Sequence, residues 1–276
     1  MKKNKTIDII LRAAVYAAVS ITLFALTYII GYILINGIPH LTPSLFAPEH
    51  TIDNVSVLPA IITTVIMIFI ALIIAVPFGI FSAIYLVEYA KRGNKVVNWV
   101  RVTTETLAGI PSIVYGLFGF LFFVSFLGWG FSVIAGAFTL SIMILPLIMR
   151  TTEEALKSVP DTYREGSFGL GAAKLRTVVR IVLPSAVPGI LAGVILAVGR
   201  IAGETAALMF TAGTLSRTPQ NLFASARTLS VHMYLLTETP GEAYTNAAYA
   251  TAVVLLIIVV GINALSAFVA RKLAKG

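Results

Sequence analysis

RTTEEALKSVPDTYREGSFGLGAAKLRTVVRIVLP, residues 150–184, is a polar, charged stretch set between two long apolar runs, 131–149 and 186–208. A structureless connection of that length is uncommon and usually functional. Two readings follow. The stretch is a solvated loop that only joins two apolar segments, or it is a surface displayed to something outside the apolar part.

Composition decides what the flanks are. Of 276 residues, 58% are hydrophobic and 12% charged, with mean hydropathy +0.94; soluble domains carry about 25% charged residues. Such a chain cannot cover itself with polar surface and needs lipid as its solvent. A bilayer crossing takes about 20 apolar residues per helix. The sequence predicts an all-α polytopic membrane protein with six transmembrane helices, at 13–36, 58–89, 111–127, 131–149, 186–210 and 247–270, in one transmembrane domain, 1–276. The first apolar run is too long for a cleaved signal peptide. Residues 37–57, with Pro39, Pro43, Pro48, Asp53 and Asn54, read as a loop, and Pro77 as a bend in the second span. Residues 96–108 carry Arg101, Thr103, Thr104 and Glu105 and read as amphipathic and interfacial; the break comes at Gly109-Ile110-Pro111. Residues 211–246 read as a second outer loop. No cysteine is present, so thiol chemistry is excluded.

The net charge of +8 has a membrane explanation, not a nucleic-acid one. Seventeen of the 20 Lys and Arg fall in the first segment, the 91–101 turn, the 150–184 insert and the last residues. Only Arg217 and Arg227 fall on the other side, and Arg200 lies inside a span. The positive-inside rule then places both termini and the insert in the cytoplasm.

Within the insert, Pro160-Asp161 signals a helix start, with Asp161 as the expected cap of the turn that follows. Gly169 and Gly171 end that turn. A second helix is expected over 172–182, stopped by Pro184.

Here the residues carry a resemblance. Glu165-Gly166-Ser167, then Gly171 after three residues, then Ile181, Leu183 and Pro184 nine residues later, resemble the cytoplasmic signature of ABC-importer permeases, E-A-A, three residues, G, nine residues, I-x-L-P. Small residues replace both alanines. The resemblance implies a type I ABC-importer permease fold. It also implies that Asp161, Glu165, Gly166, Ser167, Gly171, Ile181, Leu183 and Pro184 form the segment (the coupling loop, 150–185) that docks on a cytoplasmic ATPase. The sequence has no P-loop of its own: Gly166 and Gly171 have the spacing, but Ala172 and Ala173 stand where Lys and Ser/Thr are required. No enzyme motif or cofactor motif stands out either, and ATP hydrolysis is expected of a partner.

The second informative site is Gly199-Arg200-Ile201-Ala202-Gly203-Glu204-Thr205-Ala206. A charge at membrane depth is by default a functional hypothesis. Arg200 and Glu204, four residues apart, share a helix face and can pair. They form either an ion pair that locks one helix to its neighbours or a polar station on a solute path, with Glu204 masking Arg200 between loads. An Arg fork suits tetrahedral oxyanions.

This run, with LAGIPSIVYGLFG (107–119) and PFGIFSAIYLVEYA (77–90), is similar to the PstA-type permeases of bacterial phosphate ABC importers, over about 61–270. The resemblance implies phosphate import, with Arg200, Glu204 and Thr205 on the solute pathway. It implies as partners a PstC-type permease, a PstB-type ATPase dimer, a PstS-type phosphate-binding protein and the bilayer of the bacterial inner membrane. A permease for another oxyanion (sulfate, molybdate) and a motor-independent secondary transporter are the alternatives; the second would make the insert a passive loop.

Other features read as structure. Gly189 and Gly193 permit close helix contact. Glu88 and Glu105 snorkel or pair between helices. Asn263 is placed for an interhelix hydrogen bond. His40, His50 and His232 are outer-loop residues without the clustering a metal needs.

Overall fold

The computed structural model describes residues 5–48, 51, 54–91 and 93–273, with side chains for those among 9–265 and for 267 and 268. Lys2, Lys3, Arg92 and Lys275 of the charge count, with His50 and Asp53, lie outside the described residues. Among the described residues there is no strand.

Helix α1 spans Lys5–Gly37, so the basic leader is helical from Lys5 on. Two short 3-10 turns follow, each with a proline in its first positions. Helix α2 (Leu58–Ile84) runs through Pro77 and ends in a π-turn, Tyr85–Tyr89. Helix α3 (Lys95–Ala108) starts at Asn94, whose side chain accepts the Val96 N–H at 2.9 Å. The chain breaks at Gly109-Ile110-Pro111 and turns by 101° into α4 (Ser112–Gly119), continued by a π-turn, Phe120–Phe126. Proline disfavours helix at the residue before it, which localises the break.

Helix α5 (Val133–Lys157) is capped by Ser132. Then come α6 (Asp161–Gly169), α7 (Lys174–Thr177), a π-turn at Val178–Val182, α8 (Leu183–Ala202), α9 (Ala206–Thr211), α10 (Leu229–Glu238) and α11 (Glu242–Leu273). Among the described residues five helices are long and apolar enough to cross a membrane, six when the bent pair counts as one span.

Helix α5 is the axis. In its most apolar window 67% of residues are buried, against 0% in that of α1. It is lined by Ala135, Gly136, Ala137, Thr139 and Ser141, all buried, and small side chains let α2 and α8 approach closely. Ser141 Oγ donates to the Ala71 carbonyl across the α2–α5 contact at 3.3 Å. Gly189 and Gly193 do the same on α8: a Cβ at the first would lie 2.6 Å from that of Ala155, and one at the second would collide with Thr151. The close-contact reading of G-x-x-x-G holds.

Three expectations are corrected. The fourth helix does not stop at 149 but continues to Lys157, two turns into the insert. Pro184 does not stop the second helix of the insert: Lys174–Ala202 is one apolar rod of 29 residues. The π-turn explains this. Leu183 N–H donates to the Val178 carbonyl, five residues back, and Pro184, which has no N–H to donate, follows this widened turn directly.

Residues 211–246 are no loose outer loop. Ala226, Thr228, Leu229, Ser230, Val231 and His232 are buried, and the stretch is bonded to the core: Ser132 N–H to the Thr211 carbonyl, Val133 N–H to that of Ala224, and Leu229 N–H to Thr64 Oγ1. His232 is a fully buried residue of α10. These bonds match the requirement that backbone inside a membrane protein be satisfied by protein.

Candidate functional site

Arg200 stands in the last turn of α8. A cation is favoured there by the partial negative charge of the helix C-terminus. The helix ends at Gly203, and Glu204 and Thr205 are non-helical before α9 begins. The expected fifth span, 186–210, is therefore a broken helix. Broken helices at membrane depth are tolerated where they are buried in protein or line a cavity.

The break separates the two charges. Arg200 and Glu204 are not an ion pair. The Glu204 carboxylate is buried and accepts the Ala207 N–H at 3.0 Å, one of the free amides of the α9 start, where a negative charge is stabilised. Its backbone carbonyl accepts from Ser230 Oγ at 2.6 Å. Thr205 is half-buried, its hydroxyl 3.4 Å from the Gly203 carbonyl. Arg200 makes no hydrogen bond or ion pair among the described residues. It opens on a cavity of about 370 Å³ that runs along α5 from Pro146 to Lys157, roughly 16 Å of helix. Thr104, Glu105, Arg150 and Thr151 also line it.

At the far end of that cavity lies a charged cluster that sequence reading did not assemble. Glu153, buried in α5, sits 2.7 Å from Arg101 of α3 and 2.7 Å from Lys157. Its signal was an acidic residue on the buried face of α5, four before a lysine.

The stretches 107–119 and 199–206 touch. A Cβ on Gly116 would lie 2.8 Å from Ala207 Cα and 3.3 Å from the Ala206 carbonyl. Tyr115 is buried beside them, its hydroxyl donating to the Leu107 carbonyl at 2.8 Å. Glycine in PSIVYG thus seats α4 directly on the segment that follows Glu204.

The insert builds a second site. Pro160 is the residue before α6, and Asp161 is its first residue with no capping bond; the expected Asp161 cap is corrected. Its carboxylate instead meets Arg164 at 3.1 Å. Arg164, unremarked in the sequence, is the anchor of this corner. Its guanidinium donates to Glu88 at 2.8 and 3.1 Å, to the Leu156 carbonyl at 2.9 Å and to the Val159 carbonyl at 2.8 Å. It thereby satisfies the Leu156 carbonyl in the last turn of α5 and the Val159 carbonyl just beyond it, and ties α6 to the turn after α2. Glu88 is an interhelix pairing residue, as one of its two readings had it.

Helix α6 ends in a Schellman motif. Ala172 N–H donates to the Ser167 carbonyl and Gly171 N–H to that of Phe168, with Gly171 at φ +79. This is the chemical meaning of the glycine in the signature. Ser167 is buried, its hydroxyl 2.8 Å from that of Thr177. Gly166 has open space where a Cβ would be, so nothing within this chain demands a small residue there. Glu165 and Pro184 are exposed, Ile181 and Leu183 half-buried. Tyr163, Phe168 and Leu170 are exposed on the same short helix and its cap, Leu170 at 91%. Beside them lies a groove of about 580 Å³ that includes Gly166, Gly171 and Ile181.

Residues 75–275 match the family described as the binding-protein-dependent transport system inner membrane component. The chain belongs to this family. It is 35% identical over 266 residues to the probable ABC transporter permease protein YqgI of Bacillus subtilis, covering 89% of this chain and 88% of that one. It is 38% identical over 215 residues to the phosphate transport system permease protein PstA of Mycobacterium leprae, covering 75% of this chain and 69% of that one. A crystal structure of a bacterial ABC transporter that imports alginate has a chain matching with TM-score 0.68 at 14% identity, over 98% of this chain and 99% of that one. The fold is that of type I ABC-importer permeases, and these relatives are permease subunits, not enzymes.

Proposed function

We propose that this chain is one permease subunit of an ATP-driven phosphate importer, with Arg200 as the anion station and α6 as the coupling helix. The observation that carries the reading is Arg200, in no hydrogen bond or ion pair among the described residues, at the end of a broken helix and opening on a cavity with charged side chains in its lining that runs to the end of α5. A guanidinium without a partner offers paired donors to a tetrahedral oxyanion. Relatives named as phosphate permeases support the choice of anion.

Motion reaches Arg200 by a direct route. The α7–α8 rod begins beyond the Gly171 cap and ends at the arginine's own turn. The exposed Tyr163, Phe168 and Leu170, with Glu165 and Gly166, form the face offered to a PstB-type ATPase dimer. The chain pairs with a PstC-type permease to close the pathway and receives phosphate from a PstS-type binding protein. The positive-inside count supports a cytoplasmic place for α6 and both termini; the ion pairs Arg101–Glu153 and Arg164–Glu88 are in keeping with it.

The test is ATP-dependent uptake in vesicles holding the whole complex. Wild type takes up phosphate in preference to sulfate or molybdate. Glu165→Lys assembles but loses coupling. Uptake that persists without ATP overturns the motor-driven reading, and a preference for sulfate overturns the substrate.

A further inference from the structure

Two cavities adjoin at the corner between α2, α3 and α6; the basic one shares Arg101 and Lys157 with the cavity on which Arg200 opens. The larger, about 760 Å³, is lined by five cations and two carboxylates. Both carboxylates, Glu88 and Asp161, are held by Arg164. Arg101 and Lys157 share Glu153. Lys91 and Lys95 are left, exposed and in no ion pair among the described residues. The cavity therefore has a surplus of positive charge concentrated on these two lysines, with Asn94 and Asn98 as further donors.

The smaller cavity, about 430 Å³, is a largely apolar cleft lined by Phe81, Tyr85, Val96, Val100 and Met149. It shares Leu86, Asn94 and Val97 with the first, so a basic chamber and an apolar groove meet at one wall. Trp99 borders the basic chamber and is 73% exposed. Exposed tryptophan and lysine beside an apolar groove are the chemistry of a membrane interface.

We propose that the pair is a binding site for an anionic phospholipid, with its phosphate between Lys91 and Lys95 and one acyl chain in the cleft beside Phe81, Tyr85 and Val100. Basic pockets between helices at the cytoplasmic side hold anionic headgroups in this way. A free phosphate ion has no use for the apolar groove, and a zwitterionic headgroup none for the surplus charge. The site rests on the two cavities and not on the transport reading. A lipid there would bridge the α3 start to α2, beside the Arg164 anchor.

Native mass spectrometry of the purified full-length chain tests this, with dioleoyl phosphatidylglycerol, dioleoyl phosphatidylcholine or inorganic phosphate added. Phosphatidylglycerol is expected to be retained over phosphatidylcholine. The Lys91→Gln/Lys95→Gln double variant is expected to weaken that retention by about tenfold or more. Val100→Trp, which fills the groove without touching the charges, is expected to weaken it as well, and millimolar phosphate to leave it unchanged. Elution profile and helical circular dichroism identify any variant that fails to fold. Equal retention of the two lipids overturns the proposal, as does wild-type retention by the folded double variant. Full displacement by phosphate with no effect of Val100→Trp also overturns it, in favour of a free-phosphate site.

Discussion

The two polar regions of this chain treat their arginines in opposite ways. Arg164, at the α5–α6 corner, makes five hydrogen bonds to two carboxylates and two carbonyls. Arg200, at the end of α8, makes none among the described residues and faces a cavity. A fully bonded guanidinium fixes a corner; an unbonded one is available to a solute. On the proposed function, the difference also separates the parts of a transport cycle. A coupling helix must not slip against the body it pushes, while an anion station must bind weakly enough to release.

Breaking the fixed end should have the largest effect. Arg164→Ala leaves Glu88, whose side chain is 7% exposed, as an unpaired buried carboxylate. Removing one partner of a buried pair costs about 3–5 kcal/mol. The expected outcome is a large drop in thermal stability of the purified complex together with loss of uptake. Glu88→Gln in the Arg164→Ala background should recover part of the stability but not the uptake, since the carboxylate penalty is removed while α6 stays untied. Full recovery of both would mean that the corner is not needed for coupling.

Arg200→Gln comes next and should act in the reverse manner. Stability should hardly change, because no partner is lost. Phosphate uptake should fall by at least about tenfold, since a hydrogen bond to a charged group contributes about 1.5–3 kcal/mol. Arg200→Lys keeps the charge without the planar fork and should fall between the two. Uptake and a melting curve, measured on the same preparations, check the contrast; a destabilised Arg200→Gln would make it a structural residue like Arg164.

Much of this was legible in the sequence, and the gaps have physical causes. The break at Gly109–Pro111 was readable because proline and glycine act locally. So was the signature spacing, because Gly171 does a local job at a helix end. The continuity of the rod through Pro184 was hidden, since a π-turn shifts the hydrogen-bond ladder by one residue without a composition cue. The burial of 211–246 was hidden because backbone satisfied by tertiary partners looks, residue by residue, like a polar loop. The Arg164–Glu88 pair spans 76 positions, beyond any periodic pattern. Arg200 and Glu204 failed in the opposite direction: helical spacing predicted a pair, and a glycine between them ended the helix.

Gly171→Ala sharpens the coupling side with a smaller effect. At φ +79 an alanine is strained by about 1 kcal/mol, with open space around its Cβ. The strain falls on the α6 cap alone. Uptake per ATP hydrolysed should decrease by a few-fold while phosphate affinity stays constant, as measured by coupled uptake and ATPase assays. An unchanged ratio would show that the cap geometry does not matter to transmission.

The smallest effect is expected where the two regions differ most from the sequence-based picture. Glu204→Gln keeps an oxygen to accept the Ala207 N–H and loses only the attraction between its charge and the α9 start, about 0.3–1 kcal/mol. If Glu204 is a cap, uptake should decrease by no more than about fivefold, and the phosphate concentration giving half-maximal uptake should stay where it is. If Glu204 masks Arg200 during the cycle, removing its charge frees the guanidinium permanently. Half-saturation then moves to much lower phosphate while maximal uptake falls, because the anion is held too long. Saturation curves for the variant and wild type decide between them. The 3.0 Å bond to Ala207 favours the cap, and a shift in half-saturation would show that α8 and α9 rejoin at Gly203 during transport.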